Sequence, residues 1–433
     1  MHLRLRRILS TLCVSASFAC SGSGDTSVQP TPGPVDAGGT TGLDGAPSPD
    51  GGGSQEAGPT VKRLHIQGER VVDDAGKSVR LRGANLKGID EAGATQLAET
   101  LHMNFVRLRL SWEAENRDDA DPSAISAAYR AQIDTWIKTL AGHRIWTLIE
   151  MRTDDATANE PEIYTPGSAV FTAYQRAWVY LATRFKSQDY IAGYGLLAEP
   201  SPDKTPLPDH VGALLDFQRT LMGAITSAAG DAVTPFFVGP AYNYDPLELW
   251  NDRYYDGLTA YAGRVVYEVN FLTPKPWIDK GTSIDGSMPS YPTAKVTNYD
   301  GLLAVLPGEK YKLPDDSPLV FNARTGRGKA DPTPADLVNW NACLSPDFAA
   351  WYFARPLAFR AKHHVPLVAD QFGASTAAGG QLAYEKDLVT YFEAQDIHWS
   401  RWGYNAGEKE RRIPDNASVL SFYQTLGAGY PAP

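Results

Sequence analysis

Val365-Pro366-Leu367-Val368-Ala369-Asp370-Gln371-Phe372-Gly373 is an apolar run that closes on two polar residues and a glycine. A short, unbroken apolar run of this kind reads as a parallel strand covered on both faces, with a functional position at its carboxyl end. Tyr194-Gly195-Leu196-Leu197-Ala198-Glu199-Pro200 is a second such run, and it closes on an acid. Two carboxyl groups at facing strand ends can share acid and nucleophile work. Here one of the two positions is the amide Gln371.

Working outward, similar runs recur. They predict strands over Leu81–Leu86, Phe105–Leu110, Ile145–Glu150, Ile191–Glu199, Pro235–Gly239, Arg264–Phe271, Pro366–Gln371 and His398–Gly403. Between them, apolar residues return every three or four positions, predicting helices over Thr95–Leu101, Ala124–Leu140, Ala169–Phe185, Val211–Ser227 and Gln381–Ala394. Eight strands alternating with helices predict a (β/α)8 TIM barrel over residues 61–433. No glycine-rich phosphate loop follows the first strand, which disfavours a dinucleotide fold. A hairpin is expected ahead of the barrel, from Arg63–Val71 to Ser78–Arg82, turning at Asp73-Asp74-Ala75-Gly76-Lys77. The Pro-, Gly-, Asn- and Asp-rich stretch from Thr273 to about Asp347 is expected to be an extended loop on the ligand-binding face.

The amino terminus reads as an address. Arg4, Arg6 and Arg7 form a basic start, and Ile8 to Ala19 an apolar stretch too short to span a bilayer. It ends at Ser17-Phe18-Ala19-Cys20, which resembles a bacterial lipoprotein signal over residues 1–20, with Cys20 as the lipid anchor. Phe18 fits that pattern poorly, so ordinary secretion stays open. Residues 21–60 are Gly, Pro, Ser, Thr and Asp with almost no large apolar side chain. Such a segment cannot bury enough surface to offset its ordering entropy, and is expected to be a disordered tether. The protein is thus expected at the bacterial cell envelope, on the outer membrane or cell surface, or secreted.

The 433 residues, 43% of them hydrophobic, can bury a large core. A formal net charge of −10 argues against nucleic acid as a partner, and against a membrane other than through the anchor. Three cysteines, one of them in the apolar leader, do not make a disulfide framework. Ten Trp and twenty-one Tyr offer flat apolar faces of the kind that stack on sugar rings.

Taken in order, the strand ends resemble glycoside hydrolase family 5, the cellulase-like retaining glycosidases. The resemblance rests on Val79-Arg80-Leu81-Arg82-Gly83-Ala84-Asn85 and Asn104-Phe105-Val106-Arg107-Leu108-Arg109-Leu110-Ser111-Trp112. It continues in Leu196-Leu197-Ala198-Glu199-Pro200, Val266-Tyr267-Glu268-Val269-Asn270-Phe271, Val368-Ala369-Asp370-Gln371-Phe372-Gly373 and Trp399-Ser400-Arg401-Trp402. It implies Glu199 as the acid/base, position 371 as the nucleophile, Arg107 as an arginine bonded to that nucleophile, and Trp402 as a ring beneath the sugar. Trp112, Ala198, Tyr242 and Asn270 would line the substrate. The implied partner is a β-glucan or β-mannan type carbohydrate, engaged by a monomer without cofactor or metal.

The departures from the family gather at the site. Ala198 stands where the family has Asn, Asn270 where it has His, Leu272 where Tyr is usual, and Arg152 where a His is common. Retaining hydrolysis needs two carboxyl groups roughly 5 Å apart. An amide at 371 cannot form the glycosyl ester, and without its charge Glu199 is expected to ionise and so to donate protons poorly. Two readings follow: a glycan-binding barrel with impaired hydrolysis, or an active O-glycosyl hydrolase with a non-standard second carboxylate or water. Glu150 with Asp154 and Asp155 could hold such a water. Asp370 is expected to point away from Gln371's side of the strand, and His363-His364 to lie at the far end of the barrel.

Overall fold

The computed structural model describes residues 61–433 except 154–156, 158–159, 283–286, 293, 299–319, 323–339 and 432. The leader, Cys20 and the tether, together with Asp154 and Asp155, lie outside the described residues. Two strands, β1 (Leu64–Gln67) and β2 (Arg70–Asp73), pair antiparallel. Eight parallel strands then close a barrel. They are β3 (Arg82–Leu86), β4 (Phe105–Ser111), β5 (Trp146–Arg152), β6 (Ile191–Gly195), β7 (Phe236–Val238), β8 (Val265–Phe271), β12 (Leu367–Phe372) and β13 (His398–Arg401). This is a (β/α)8 TIM barrel.

Alternation along each strand divides the side chains between two environments. On β4, Val106, Leu108 and Leu110 face the helices, whereas Phe105 joins Leu81, Leu148, Phe237, Val266 and Val368 in an apolar floor inside the barrel. Leu64 and Val71 of the hairpin complete that floor. Arg107 and Arg109, on the same face as Phe105, carry the polar interior upward to the mouth. The surrounding helices start where their caps dictate: Ser126, Ser168 and Asp209 each accept a bond from a backbone amide of the first turn.

Three expectations need correction. The hairpin turns at Gly68-Glu69, because Gly68 at φ +59° supplies the left-handed residue a tight turn needs. The Asp73–Lys77 segment is a second turn, held by Asp73 Oδ1 accepting from the amides of Ala75 and Lys77, and it leads only to an isolated Val72–Ser78 bridge. β7 is followed by short helical turns (Ala241–Tyr244, Pro246–Trp250, Arg253–Asp256 and Thr259–Arg264), not by a full helix. The stretch after β8 is no plain loop: its described residues hold a helix at Lys275–Lys280 and an antiparallel sheet. That sheet is β9 (Ala294–Asn298), β10 (Val320–Asn322) and β11 (Trp340–Leu344). A helix at Pro346–His363 then returns the chain to β12.

Candidate active site

Above the apolar floor lies a buried charged layer. Arg107, fully buried, donates Nη1 to Asn85 Oδ1 at 2.8 Å and Nη2 to Glu150, and Nη2 lies 3.0 Å from Asp370 Oδ2. Glu268, on β8, is buried beside them, and oxygens of Glu150, Glu268 and Asp370 approach within 4.8 Å of one another. Gly195 makes room for this crowd, since a Cβ there would meet Glu150 Cβ at 2.9 Å. Among the described residues neither Glu268 oxygen has a hydrogen-bond partner, and the neighbouring Tyr244 donates its hydroxyl to Leu197 O. Burial, then mutual repulsion with Asp370 and Glu150, drives the Glu268 carboxyl well above the usual range. Burial likewise raises Glu150 and Asp370, against the pull of Arg107. Three acids of this geometry could hold a cation, but Arg107 already stands among them as the positive charge.

Asp370 corrects a further expectation. The pairing of β12 with β8 runs Ala369 to Val269 and then Gln371 to Asn270, leaving Asp370 in a β-bulge. Simple alternation would send neighbours to opposite faces, whereas the extra residue lets Asp370 and Gln371 both face the barrel interior. Arg107 accordingly meets Asp370. No hydrogen bond joins Arg107 to Gln371 among the described residues, contrary to what the resemblance implies.

At the mouth, Gln371 Nε2 donates to Glu199 Oε1 at 2.9 Å. Asn270 Nδ2 donates to the same oxygen at 3.1 Å and to Asn243 O at 2.8 Å. Glu199, partly exposed, has φ +52°, and the loop after β7 runs through three left-handed residues, Tyr242, Asn243 and Tyr244. Left-handed non-glycine backbone costs on the order of 1–3 kcal/mol per residue and gathers at sites where the surroundings impose it. Here that turn aims Asn243 O at Asn270, and Asn243 N donates to Pro200 O at 3.1 Å. Burial pushes the Glu199 carboxyl up. Arg109, Arg152, Arg107 and the Gln371 amide outweigh it, so the group lies below the usual glutamate value.

Trp402 is 8% exposed, with the Arg109 guanidinium 4.5 Å from its ring centre. Gly407, at φ +80°, lies against the indole, where a Cβ would come within 2.4 Å of Nε1. Ala198 is buried next to Glu199. Tyr242 packs edge-on towards His210 on the outer helix. Trp112 is not at the mouth: it is 2% exposed, set edge-to-face on Tyr174 at 4.9 Å, and bonded through Nε1 to Ala124 O. It faces the helices because β4 has ended and the chain turns outward, so its expected place against substrate is withdrawn. His363 binds Asp252 and His364 faces Glu69, so the two histidines do not converge.

Behind the mouth, Glu385 takes both Nε and Nη2 of Arg401, at 3.0 and 2.9 Å, and accepts from Tyr423 at 2.6 Å. Gly373, at φ +109°, passes this network closely. The network thus braces the segments that carry Gln371 and Trp402. Glu268 and Asp370 are interior acids that the reading of the sequence did not place there. Glu268 had a signal, since it shares parity with Asn270 on β8; Asp370 had only the oddity of two adjacent polar residues in an apolar strand.

Residues 72–261 match the family model described as cellulase (glycosyl hydrolase family 5). Over that stretch, which runs from β2 to the segment before β8, the chain is similar to family 5. Solved structures agree on the fold. A broad-specificity endoglucanase from Clostridium acetobutylicum superposes on this barrel at TM-score 0.55, with 14% identity over 80% of this chain and 97% of its own. The cellulose synthase subunit Z of Clostridioides difficile gives 0.52, with 13% identity over 79% and 99%. Thermotoga maritima Cel5A, solved in complex with cellobiose, gives 0.50, with 14% identity over 79% and 96%. No curated protein matches the sequence.

Proposed function

We propose that this protein is an exported family 5-type barrel that engages a β-linked poly- or oligosaccharide at its mouth, with the retaining reaction disabled. The observation that carries the reading is the 2.9 Å bond from Gln371 Nε2 to Glu199 Oε1. An amide is too weak a nucleophile to form a glycosyl ester and brings no charge to an oxocarbenium ion. As a donor to Glu199 it also favours the carboxylate over the acid, so the same contact works against both halves of the chemistry. Thermotoga maritima Cel5A, similar in fold, was solved in complex with cellobiose, which supports carbohydrate as the ligand class.

The test measures reducing-sugar release and binding on a β-glucan and β-mannan panel, by the chain as it stands and by Gln371→Glu. Binding without turnover, and turnover in Gln371→Glu, is the expected pattern. Turnover by the unsubstituted chain, abolished in Glu199→Ala, would overturn it. One observation favours the second reading, an active hydrolase with another carboxylate: the bulge turns Asp370 inward. Asp370 is only 1% exposed and is paired with Arg107, which keeps it below the mouth.

The lipoprotein-type leader supports placement at the cell envelope, with residues 21–60 as tether. Among the described residues no helix is long and apolar enough to cross a membrane. Labelling with a fatty-acid probe, lost in Cys20→Ala, tests the anchor. An unlabelled, freely secreted protein would favour ordinary export.

A further inference from the structure

Among the described residues, Arg109 is a buried cation that the site's bonding leaves largely unanswered. It sits on the inward face of β4, two residues beyond Arg107 and level with Glu150 in the register. The residue is 4% exposed, and its Nε and Nη2 are buried without a hydrogen-bond partner. Its closest ion-pair approach is 4.0 Å, from Nε to Glu150 Oε2, and Glu150 is already engaged by Arg107. The face of Trp402 is its other neighbour, at 4.5 Å. A buried guanidinium with two unpartnered nitrogens is costlier than a neutral donor left unmet, and asks what fills the place.

The surroundings say what would fit. Arg152 follows Glu150 by two residues on the same strand, at the mouth end of the barrel, paired in register with Ser111. Position 371, the nucleophile carboxylate in the family pattern, is here a neutral amide. Glu199 is the acid these arginines face at the mouth, and it already accepts from Gln371 and Asn270. A neutral sugar offers hydroxyls, which answer one donor at a time. A carboxylate or sulfate offers two or more charged acceptor oxygens in the geometry of an arginine fork. In a cleft with low-dielectric walls, such a pairing is screened far less than on the surface.

We propose that the mouth is built for an acidic glycan, in which a carboxylate or sulfate borne on the sugar pairs with Arg109, with Arg152 adding to the attraction. This rests on the glycan-binding reading above and specifies its substrate class. Trp402 would present the ring, and Arg109 beneath it would read the charge.

Calorimetric titration of the full chain tests this with three matched cello-oligosaccharides: unmodified, oxidised to uronic acid at C6, and sulfated at C6. The expected result is that at least one acidic ligand binds about tenfold or more tightly than the neutral one. The advantage should shrink as salt is raised and vanish in Arg109→Met, with Arg109→Lys retaining part of it. Which acidic ligand gains tells carboxylate from sulfate. Equal affinity for neutral and acidic ligands, or a preference that survives in Arg109→Met, overturns the proposal and leaves the glycan reading standing. No binding of any of the three overturns the proposal, and joined to no binding on the β-glucan and β-mannan panel it overturns both. If Arg109→Met does not fold, the comparison within the unsubstituted chain and its salt dependence still decide.

Discussion

Arg107 Nη2 lies 3.0 Å from Asp370 Oδ2, deep in the barrel, and bonds Glu150 from the same side. One guanidinium thus serves two buried carboxyl groups, and its removal leaves both without a counter-charge. Breaking a buried ion pair from one side costs about 3–5 kcal/mol. Arg107→Ala is therefore expected to lose about that much in urea unfolding, whereas Asp370→Asn should lose less, since the neutral amide needs no cation. Equal and small losses for both would mean that the layer is not held by charge.

The same layer should make stability depend on pH. Glu268 has its carboxyl raised by burial and by its acidic neighbours, and Asp370 is pushed up to about 8. A raised folded-state pKa contributes stability that is complete below the unfolded value, near 4. That stability is lost as pH rises through the folded one. Melting temperature should therefore decline from about pH 5 towards 8, and Glu268→Gln should flatten that decline. A variant with an unchanged slope would remove Glu268 from the account.

Glu199 runs the other way. Its folded pKa is depressed, so its contribution is present above the unfolded value and lost as pH falls through the folded one. Carbon-detected NMR of the Glu199 carboxyl should give a midpoint below that of an ordinary glutamate. In Gln371→Glu the new negative charge should raise the midpoint of the pair. A midpoint near neutrality in the unsubstituted chain would mean that the arginines do not govern it.

The two tryptophans separate stability from recognition. Trp112→Ala removes a fully packed ring and should cost about 3–5 kcal/mol in unfolding, with glycan affinity of the folded fraction intact. Trp402→Ala should weaken binding by more than tenfold if its ring meets the sugar, since an aromatic anchor of this kind contributes on the order of 2 kcal/mol. Loss of binding in Trp112→Ala with no loss of stability would reverse the assignment.

Much of this architecture can be read directly from the chain. All eight barrel strands overlap their predicted runs because strands covered on both faces are apolar and short. The helices at Ala169–Phe185 and Gln381–Ala394 match to the residue, their apolar positions repeating cleanly at helical spacing. The pairing of Glu199 with Gln371 was legible from two strand ends, since the barrel brings such ends to one face. The bulge at Asp370 was not, because alternation assumes one residue per rung. Trp112 misled because a tryptophan one residue past a strand end can turn either way, and only packing against Tyr174 decides. The hairpin turn was misplaced because two good turn segments lie within ten residues and the left-handed Gly68 is the tighter.

The central proposal is that no carboxylate stands where the retaining nucleophile would, because position 371 is an amide. A 2-deoxy-2-fluoro-β-cellobiosyl fluoride tests it directly, because it needs no acid to leave and traps a glycosyl-enzyme wherever a competent carboxylate stands. Intact-protein mass spectrometry should show no adduct on the chain as it stands, and one adduct on Gln371→Glu at the introduced carboxylate. An adduct on the unsubstituted protein, at Asp370 or any other acid, would contradict the account.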